Sequence, residues 1–131
     1  MPTGHVLVVE DDDTIRRLLM EYLKQQALLT VEGARDGIEA LHLVSQKHYA
    51  VVILDLVMPK MSGVDFLDSL TAMMKDPSIQ TLAEAPAVIV VTATPAGDVP
   101  TDALEQRSAL VKVVMRKPVD IERLVEIIES L

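Results

Sequence analysis

Four short apolar runs, each followed by a polar residue, constrain the fold of this chain more than any other feature. The runs are residues 6–9 (VLVV), 51–54 (VVIL), 88–91 (VIVV) and 111–115 (VKVVM), and they precede Glu10, Asp55, Thr92 and Arg116. Short β-branched runs separated by helical segments are typical of buried parallel strands. Ligands of open parallel sheets bind beyond the carboxyl ends of the strands. The pattern therefore predicts one site, where the carboxylates, the hydroxyl and the Lys117 ammonium converge.

Five further segments have the apolar periodicity of helices. These are residues 13–26, a segment opened by Gly37, a segment running to about Met74, residues 101–109 and a segment from Ile121 onward. Asp12 or Asp13 is the expected cap of the first helix, and Asp120 that of the last. The residues expected to face inward are Ile15, Leu18, Leu19, Tyr22, Leu23, Ile38, Leu41, Val44, Val64, Phe66, Leu67, Leu70, Ile121, Leu124, Val125 and Ile128.

Residues 30–34 predict a weaker additional strand, so the chain alternates strand and helix five times. A length of 131 residues with 50% hydrophobic content fits one α/β domain over residues 1–131. Residues 75–86 are expected to form an irregular connection. Pro95, Gly97 and Pro100 leave room for only a short fourth helix.

Composition excludes several classes of function. The net charge of −8 disfavours binding to phosphate backbones or anionic membranes, so we expect no direct nucleic-acid contact. The absence of cysteine excludes disulfides and thiolate metal sites and suits a reducing compartment, for which the bacterial cytoplasm is the expected location. No run approaches the roughly 20 apolar residues that a membrane span needs, and the first residues lack the basic region of a signal peptide.

The acidic residues at the strand ends suggest phosphoryl chemistry. Glu10, Asp11 and Asp12, joined in space by Asp55, would repel one another unless protons or a divalent cation entered. Oxygen ligands at this density suit Mg²⁺. A carboxylate that the ion does not fully use can attack a phosphoryl group and form an aspartyl phosphate. Mg²⁺, Lys117 and Thr92 would then stabilise the charge on the transferred group.

Four motifs in this order resemble the receiver domain of two-component response regulators, such as the single-domain chemotaxis regulator. They are residues 8–11 (VVED), 54–63 (LDLVMPKMSG), 91–93 (VTA) and 116–118 (RKP), and the resemblance spans nearly the whole chain. Any one of them is weak alone, but four at compatible spacing are specific. The resemblance implies a doubly wound (βα)5 domain with a five-stranded parallel sheet in the flavodoxin-like order 2-1-3-4-5.

The resemblance also implies roles for individual residues. Asp55 is the phosphoacceptor, and Thr92 and Lys117 contact the phosphoryl group. Mg²⁺ is bound by Asp11, Asp55 and the Val57 carbonyl, with Glu10 reaching it through water. The peptide bond between Lys117 and Pro118 is expected to be cis.

The implied partners are a sensor histidine kinase or histidine phosphotransfer protein as donor, and an effector protein or a C-terminal output domain downstream. The domain would be a monomer or a phosphorylation-dependent dimer, and it would catalyse only its own phosphorylation and dephosphorylation.

One residue and one region depart from the family pattern. Val114, three residues before Lys117, stands where receivers usually have Tyr or Phe, and Pro95 and Pro100 interrupt the region of the fourth helix. The aromatic residue normally turns inward when the threonine closes on the phosphoryl group. We therefore expect phosphorylation to be transmitted through rearrangement of residues 92–109. Val57 cannot hydrogen-bond an attacking water through its side chain, which predicts slow loss of the phosphoryl group, although Thr94 could offset this effect.

Each singled-out residue also has a structural interpretation. Residues 10–13 could be a solvated acidic helix start, Thr92 a β-former at a strand end and Lys117 a surface lysine. A structural role fits Asp55 least, because apolar residues flank it on both sides in the sequence.

Three other functions compete with a phosphorylated receiver. Phosphatases of the haloacid dehalogenase type carry an Asp-x-Asp motif. In this chain Asp55 is followed by Leu56 and Val57, so the second acid of that motif is missing. A flavin or dinucleotide binder needs a Gly-rich or hydroxyl-rich loop where three acids follow the first strand. The third is a receiver-like docking module that is never phosphorylated. Val114 and the altered fourth helix favour it, and the intact acids, Thr92 and Lys117 count against it.

Overall fold

A parallel β-sheet forms the centre of the molecule, and the computed structural model describes residues 4–25 and 29–131. The strands are β1 (Gly4–Val9), β2 (Leu29–Ala34), β3 (Val51–Asp55), β4 (Ala87–Thr92) and β5 (Val111–Arg116). Their order in the sheet is β2-β1-β3-β4-β5, and all neighbouring pairs are parallel. The predicted α/β fold and strand order are confirmed.

Five helices connect and flank the strands. They are α1 (Asp13–Gln25), α2 (Gly37–Gln46), α3 (Gly63–Met74), α4 (Thr101–Glu105) and α5 (Ile121–Ser130). Two short 3₁₀ turns, Gln80–Leu82 and Ala96–Asp98, lie on either side of β4. The predicted end of the first helix at Gln26 falls outside the described residues.

Side-chain caps fix the starts of four helices. Each cap accepts a hydrogen bond from the backbone N–H three residues later, which satisfies an otherwise unpaired donor. The four caps are Asp12, Asp36, Ser62 and Asp120. Pro100 precedes α4 and makes no such bond, and α4 is only five residues long.

The helices lie in two layers because alternate residues of a strand point to opposite faces of a sheet. Leu7 and Val9 of β1 contact the layer that includes α2, α3 and α4. Val6 and Val8 of the same strand contact the layer of α1 and α5. The sheet is thus buried on both faces, which explains why its central strands are apolar without alternation.

The predicted inward faces of α1 and α2 are partly wrong. In α1, Leu19 and Leu23 are buried, but Ile15, Leu18 and Tyr22 are 38%, 52% and 48% exposed. The apolar stripe of this helix is wider than the sheet surface below it. The three exposed residues line a groove of about 530 Å³ beside Pro118 and Ile121.

In α2, Val44 is buried as predicted and Leu41 packs against the core, but Ile38 is 54% exposed. The small residue Ala40 is fully buried in this helix. In α5, Leu124 and Ile128 are buried as predicted, together with Ile127.

The fourth helix ends earlier than predicted. It stops at Glu105, and the following residues form turns up to β5. Arg107 leaves the helix and pairs with Asp68 of α3, with Nε 2.8 Å from Oδ1 and Nη2 3.0 Å from Oδ2. This contact joins the turn after α4 to α3, and sequence periodicity carries no signal of it.

A β-bulge shifts the phase of β5. Val88 of β4 pairs with Val111, but the next residue, Ile89, pairs with Val113, which leaves Lys112 unpaired. Val113 and Met115 consequently pack on the side of α1 and α5. Val114 lines a groove beside α4 and is 41% exposed.

Within residues 4–25 and 29–131, no helix has both the length and the apolar character that crossing a membrane requires.

Candidate functional site

The carboxyl ends of β1 and β3 bring the acidic residues together. Val9 of β1 pairs with Leu54 of β3, so the residues that follow, Glu10 and Asp55, lie side by side. Oxygen atoms of Glu10, Asp11 and Asp55 all lie within 4.8 Å of one another. Glu10 and Asp55 are 3% and 7% exposed, whereas Asp11 is exposed. Three of the four predicted acids therefore form the cluster, with Asp11 as its accessible member, whereas Asp12 is exposed and caps α1 instead.

Lys117 reaches this cluster from the end of β5. Its Nζ donates to Oε1 of Glu10 at 2.6 Å and to Oδ2 of Asp55 at 3.2 Å. The Lys117 side chain is only 19% exposed, which contradicts its interpretation as a surface lysine. The peptide bond to Pro118 is cis, as predicted.

Burial and crowding change the acidity of these groups. Burial raises the pKa of Glu10, and the neighbouring Asp55 carboxylate raises it further, against the lowering effect of Lys117. The pKa of Asp11 is also raised, first by burial and then by the neighbouring Glu10 carboxylate. Burial alone would lower the pKa of Lys117, but its contacts with Glu10 and Asp55 outweigh this effect and raise it. One ammonium therefore does not compensate the cluster fully.

The unpartnered oxygen of Glu10 makes the cluster suitable for a cation. Oε2 of Glu10 is buried and has no hydrogen-bond partner in the structure. A buried charged oxygen without a partner is costly. Hard carboxylate oxygens that meet at a partly open position are the ligands that Mg²⁺ prefers. The residues present therefore fit a divalent cation.

Thr92 lies at the end of β4 and is fully buried. Its hydroxyl donates to Oγ1 of Thr94 at 2.8 Å and accepts the Thr94 N–H at 3.0 Å. Asp55 of β3 pairs with Val91 of β4, the residue before Thr92. Thr92 therefore lies on the same edge of the sheet as Asp55. Its hydroxyl is engaged by Thr94 in this state.

Val57 lies in the loop between β3 and α3. Its backbone N–H donates to Oδ1 of Asp55 at 3.2 Å, and its side chain is 68% exposed. The N–H contact orients the Asp55 carboxylate. A metal contact from the Val57 carbonyl stays a prediction.

The rest of this loop is held by contacts that the sequence analysis missed. Lys60 adopts a positive φ of 70°, and its Nζ lies 3.4 Å from Oδ2 of Asp36, the cap of α2. A Cβ on Gly63 would lie 2.8 Å from the Cα of Leu56, so only glycine fits this close approach. The loop is thereby fixed against α2 and against the end of β3.

Arg16 of α1 is a further residue that the sequence analysis missed. Its Nη1 donates to the backbone carbonyl of Glu10 at 2.9 Å. An arginine at helical spacing after an acidic run is a weak signal, because most such residues are exposed.

Comparisons with known proteins agree with this geometry. The family model described as the response regulator receiver domain matches residues 6–129. The transcriptional regulatory protein SrrA of Staphylococcus aureus is 34% identical over 82 residues, which cover 63% of this chain and 34% of SrrA. The chain thus spans about a third of the length of the curated relatives that it matches.

Solved structures show the same fold along their length. A response regulator receiver protein from Pseudomonas putida has a TM-score of 0.80 and 27% identity, with 100% of this chain and 99% of that chain covered. The response regulator TrrA from Thermotoga maritima, in complex with Mg²⁺-BeF, has a TM-score of 0.74 and 26% identity, with 98% of each chain covered. Since the family model also covers residues 6–129, this chain belongs to the response regulator receiver domains of two-component systems.

Proposed function

We propose that this receiver domain takes a phosphoryl group from a phosphohistidine onto Asp55, with Mg²⁺, and that this modification changes its affinity for a partner. Receiver domains are signalling domains that interact with histidine kinases and effector domains. The observation that carries the proposal is the position of Asp55, a buried carboxylate at a strand end that contacts Lys117 and belongs to the acidic cluster.

Asp55 is the nucleophile in this proposal. The Val57 N–H and the Lys117 ammonium hold its two oxygens in a fixed orientation. In the transfer, one Asp55 oxygen forms a bond to phosphorus while the bond between phosphorus and the donor imidazole nitrogen breaks, and that nitrogen takes up a proton. Positioning and charge stabilisation supply most of the acceleration in such transfers.

The surrounding residues have separate roles. Receiver domains bind Mg²⁺ at their acidic site. We assign the ion to Glu10, Asp11, Asp55 and the Val57 carbonyl. When bound, it neutralises negative charge on the phosphoryl oxygens. Lys117 would exchange its contact with Asp55 for a phosphoryl oxygen.

Thr92 would exchange its hydroxyl contact with Thr94 for another phosphoryl oxygen. This exchange links the modification to the backbone of residues 92–94, since both Thr92–Thr94 hydrogen bonds involve that segment. The bound phosphoryl group would thereby bias a two-state element.

The proposal extends to the whole chain and its setting. We assign residues 1–131 to one receiver unit that modifies only itself, as a monomer or as a phosphorylation-dependent dimer. The donor is a sensor histidine kinase or a histidine phosphotransfer protein, and the recipient of the signal is an effector protein or an output domain. We place the exchange in the cytoplasm, which suits a chain without cysteine.

Intact-mass measurement with acetyl phosphate and Mg²⁺ tests the proposal. We expect a gain of one phosphoryl group in the wild type, and no gain without Mg²⁺ or in Asp55→Asn. Asp65→Asn is the matched control, because Asp65 is an exposed acid of α3 and its loss should leave the uptake unchanged. Uptake in Asp55→Asn equal to wild type would contradict the assignment.

The alternative is a receiver-like docking module that is never phosphorylated. The exposed Val114, at the position of the usual aromatic switch, favours it. The buried contacts of Lys117 with Glu10 and Asp55 oppose it, because a docking module has no need for a charged cluster of this cost. The same measurement separates the two functions, since the docking module would gain no mass with any donor.

A further inference from the structure

The loop between β1 and α1 carries the metal-binding acids, and Arg16 joins its two ends. Nη1 of Arg16 donates to the Glu10 carbonyl, at the end of β1, at 2.9 Å. Nη2 of the same guanidinium forms an ion pair with Asp13, the first residue of α1. Asp11 lies between these two anchor points. The Arg16 side chain is only 15% exposed, so the guanidinium is packed in place.

Glycine in the neighbouring strand makes room for this arginine. A Cβ on Gly33 of β2 would lie 3.0 Å from Cδ and 3.4 Å from Cγ of Arg16, and 2.7 Å from Sδ of Met20. The aliphatic stem of Arg16 therefore crosses β2 where that strand has no side chain. Gly33 has no positive φ, so space is the reason for glycine here.

The backbone of Glu10 is held from a second direction as well. Its N–H donates to the carbonyl of Ala34, at the end of β2, at 3.1 Å. Asp12 caps α1 through the N–H of Ile15. With Arg16, each end of the loop has a fixed contact, and the loop geometry is set without any ion.

We propose that Arg16 is a positioning residue for the acidic cluster, whose guanidinium fixes the loop of Glu10 and Asp11 in the shape that binds Mg²⁺. This inference rests on the Mg²⁺ site of the proposed function. Groups that orient metal ligands typically change metal affinity about 10- to 100-fold when they are removed. Arg16 acts through the Glu10 carbonyl and Asp13.

Arginine suits this role because its planar fork offers two donors in a fixed geometry, whereas lysine offers a single point charge. The positive charge itself would repel a cation, but Asp13 neutralises it locally. Positioning and charge therefore predict opposite results when Arg16 is removed. Loss of charge alone strengthens Mg²⁺ binding, and loss of the fixed loop weakens it.

Calorimetric titration of the full chain with MgCl₂ tests the inference. We expect Arg16→Met to weaken Mg²⁺ binding about 10-fold, and Arg16→Lys, which keeps the charge, to weaken it as well. Arg17→Met is the matched control. Arg17 is exposed on the same helix turn, and this substitution removes the same charge. Its affinity should equal that of the wild type or exceed it.

Gly33→Ala provides a second test without any change of charge. The added Cβ would lie 2.7 Å from Sδ of Met20 and 3.0 Å from Cδ of Arg16, so Met20 must move and the Arg16 stem must shift by a few tenths of an ångström. We therefore expect weaker Mg²⁺ binding, by a smaller factor than in Arg16→Met. Amide hydrogen exchange of residues 11–14, measured without metal, should be faster in both variants than in the wild type and in Arg17→Met. This readout is independent of any bound ion.

The outcomes distinguish this inference from the proposed function. Equal or tighter Mg²⁺ binding in Arg16→Met relative to Arg17→Met overturns the role of Arg16 and leaves the proposed function intact. Failure of the wild type to bind Mg²⁺ overturns both. Weaker binding in Arg16→Met and Gly33→Ala, with the wild-type value in Arg17→Met, supports the inference.

Discussion

The ammonium of Lys117 lies 2.6 Å from Oε1 of Glu10, although 107 residues separate the two in the chain. The same ammonium contacts Asp55, so two buried carboxylates share one cation. The cluster therefore retains negative charge that its own residues do not balance. This imbalance explains why the site suits a divalent cation. In the proposed function, that cation would free Lys117 to contact a phosphoryl group.

Replacement of Lys117 by methionine should destabilise the metal-free protein by about 3 kcal/mol, because Glu10 and Asp55 would remain buried without their partner. Mg²⁺ should restore more stability to this variant than to the wild type, since it takes over the compensation. Chemical denaturation with and without Mg²⁺ measures both effects. Lys112→Met, at an exposed lysine of β5, is the control, and equal stability of the two variants without metal would contradict the prediction.

Much of the fold and the acidic cluster could be predicted, because the strand ends are marked by a change from apolar to polar residues. Asp55 after residues 51–54 is an example, and the structure places it on the predicted edge of the sheet. The caps Asp12 and Asp120 were predictable for a similar reason, since their bonds span three residues.

Features that depend on contacts between distant elements could not be predicted. Periodicity shows that Ile15, Leu18 and Tyr22 share a stripe, but not how much of that stripe the sheet covers. The turn after α4 carries the pairing of Arg107 with Asp68, which are 39 residues apart. The loop contact of Arg16 was missed for the same reason, because its packing space is set by a glycine in another strand.

Tyr49 gives the protein a specific loss of stability at alkaline pH. Its side chain is buried and its hydroxyl donates to Glu32, so burial, followed by the charge of Glu32, raises the pKa of Tyr49 from 10.0 to about 12. A raised pKa in the folded state means that this stability is present below pH 10 and is lost as the pH rises toward 12. The full loss is roughly 3 kcal/mol.

The variant Tyr49→Phe should remove this alkaline loss. We expect its free energy of unfolding to fall less steeply than that of the wild type between pH 10 and 12. Denaturation at several pH values measures the slopes, and Tyr22→Phe, at the 48% exposed tyrosine, is the control. Parallel curves for wild type and Tyr49→Phe would exclude the effect.

Val57 should slow the loss of the phosphoryl group. Its side chain is 68% exposed, two residues after Asp55, and has no atom that could orient an attacking water. We expect Val57→Asn to lose the group a few-fold faster, because an amide can hold that water. Val57→Ala is the matched control and should decay like the wild type. Intact mass measured over time gives the three decay rates. Equal rates in all three proteins would reject the role of this position.

Thr94 should restrain the response to phosphorylation. It engages the Thr92 hydroxyl as acceptor and donates its own N–H to the same oxygen. Thr94→Val keeps the shape and removes the acceptor, which lowers the cost of moving the Thr92 hydroxyl by about 1 kcal/mol. We expect the phosphorylated variant to populate the active form more fully, as measured by amide chemical shifts. Thr30→Val is the control, at an exposed threonine of β2. Shifts no larger in phosphorylated Thr94→Val than in the wild type would contradict the prediction.

Residues 92–109 should carry the conformational response in place of an aromatic side chain. Val114 lies 41% exposed in a groove of about 450 Å³ with Val99, Leu104 and Arg116. A valine side chain offers far less area to bury than an aromatic ring does. The segment before it contains Pro95, Pro100 and a five-residue α4 without a side-chain cap, and such a segment costs little to rearrange.

Amide spectra recorded before and after phosphorylation test this route. We expect the largest changes outside the acidic cluster to fall within residues 92–109, and Val114→Ala to show the same pattern as the wild type, because the valine side chain is not part of the switch. Thr92→Ala should lose these changes while it still takes up the phosphoryl group. Unchanged signals of residues 92–109 in the phosphorylated wild type would exclude the mechanism, since the signal would then have to leave the site through another element.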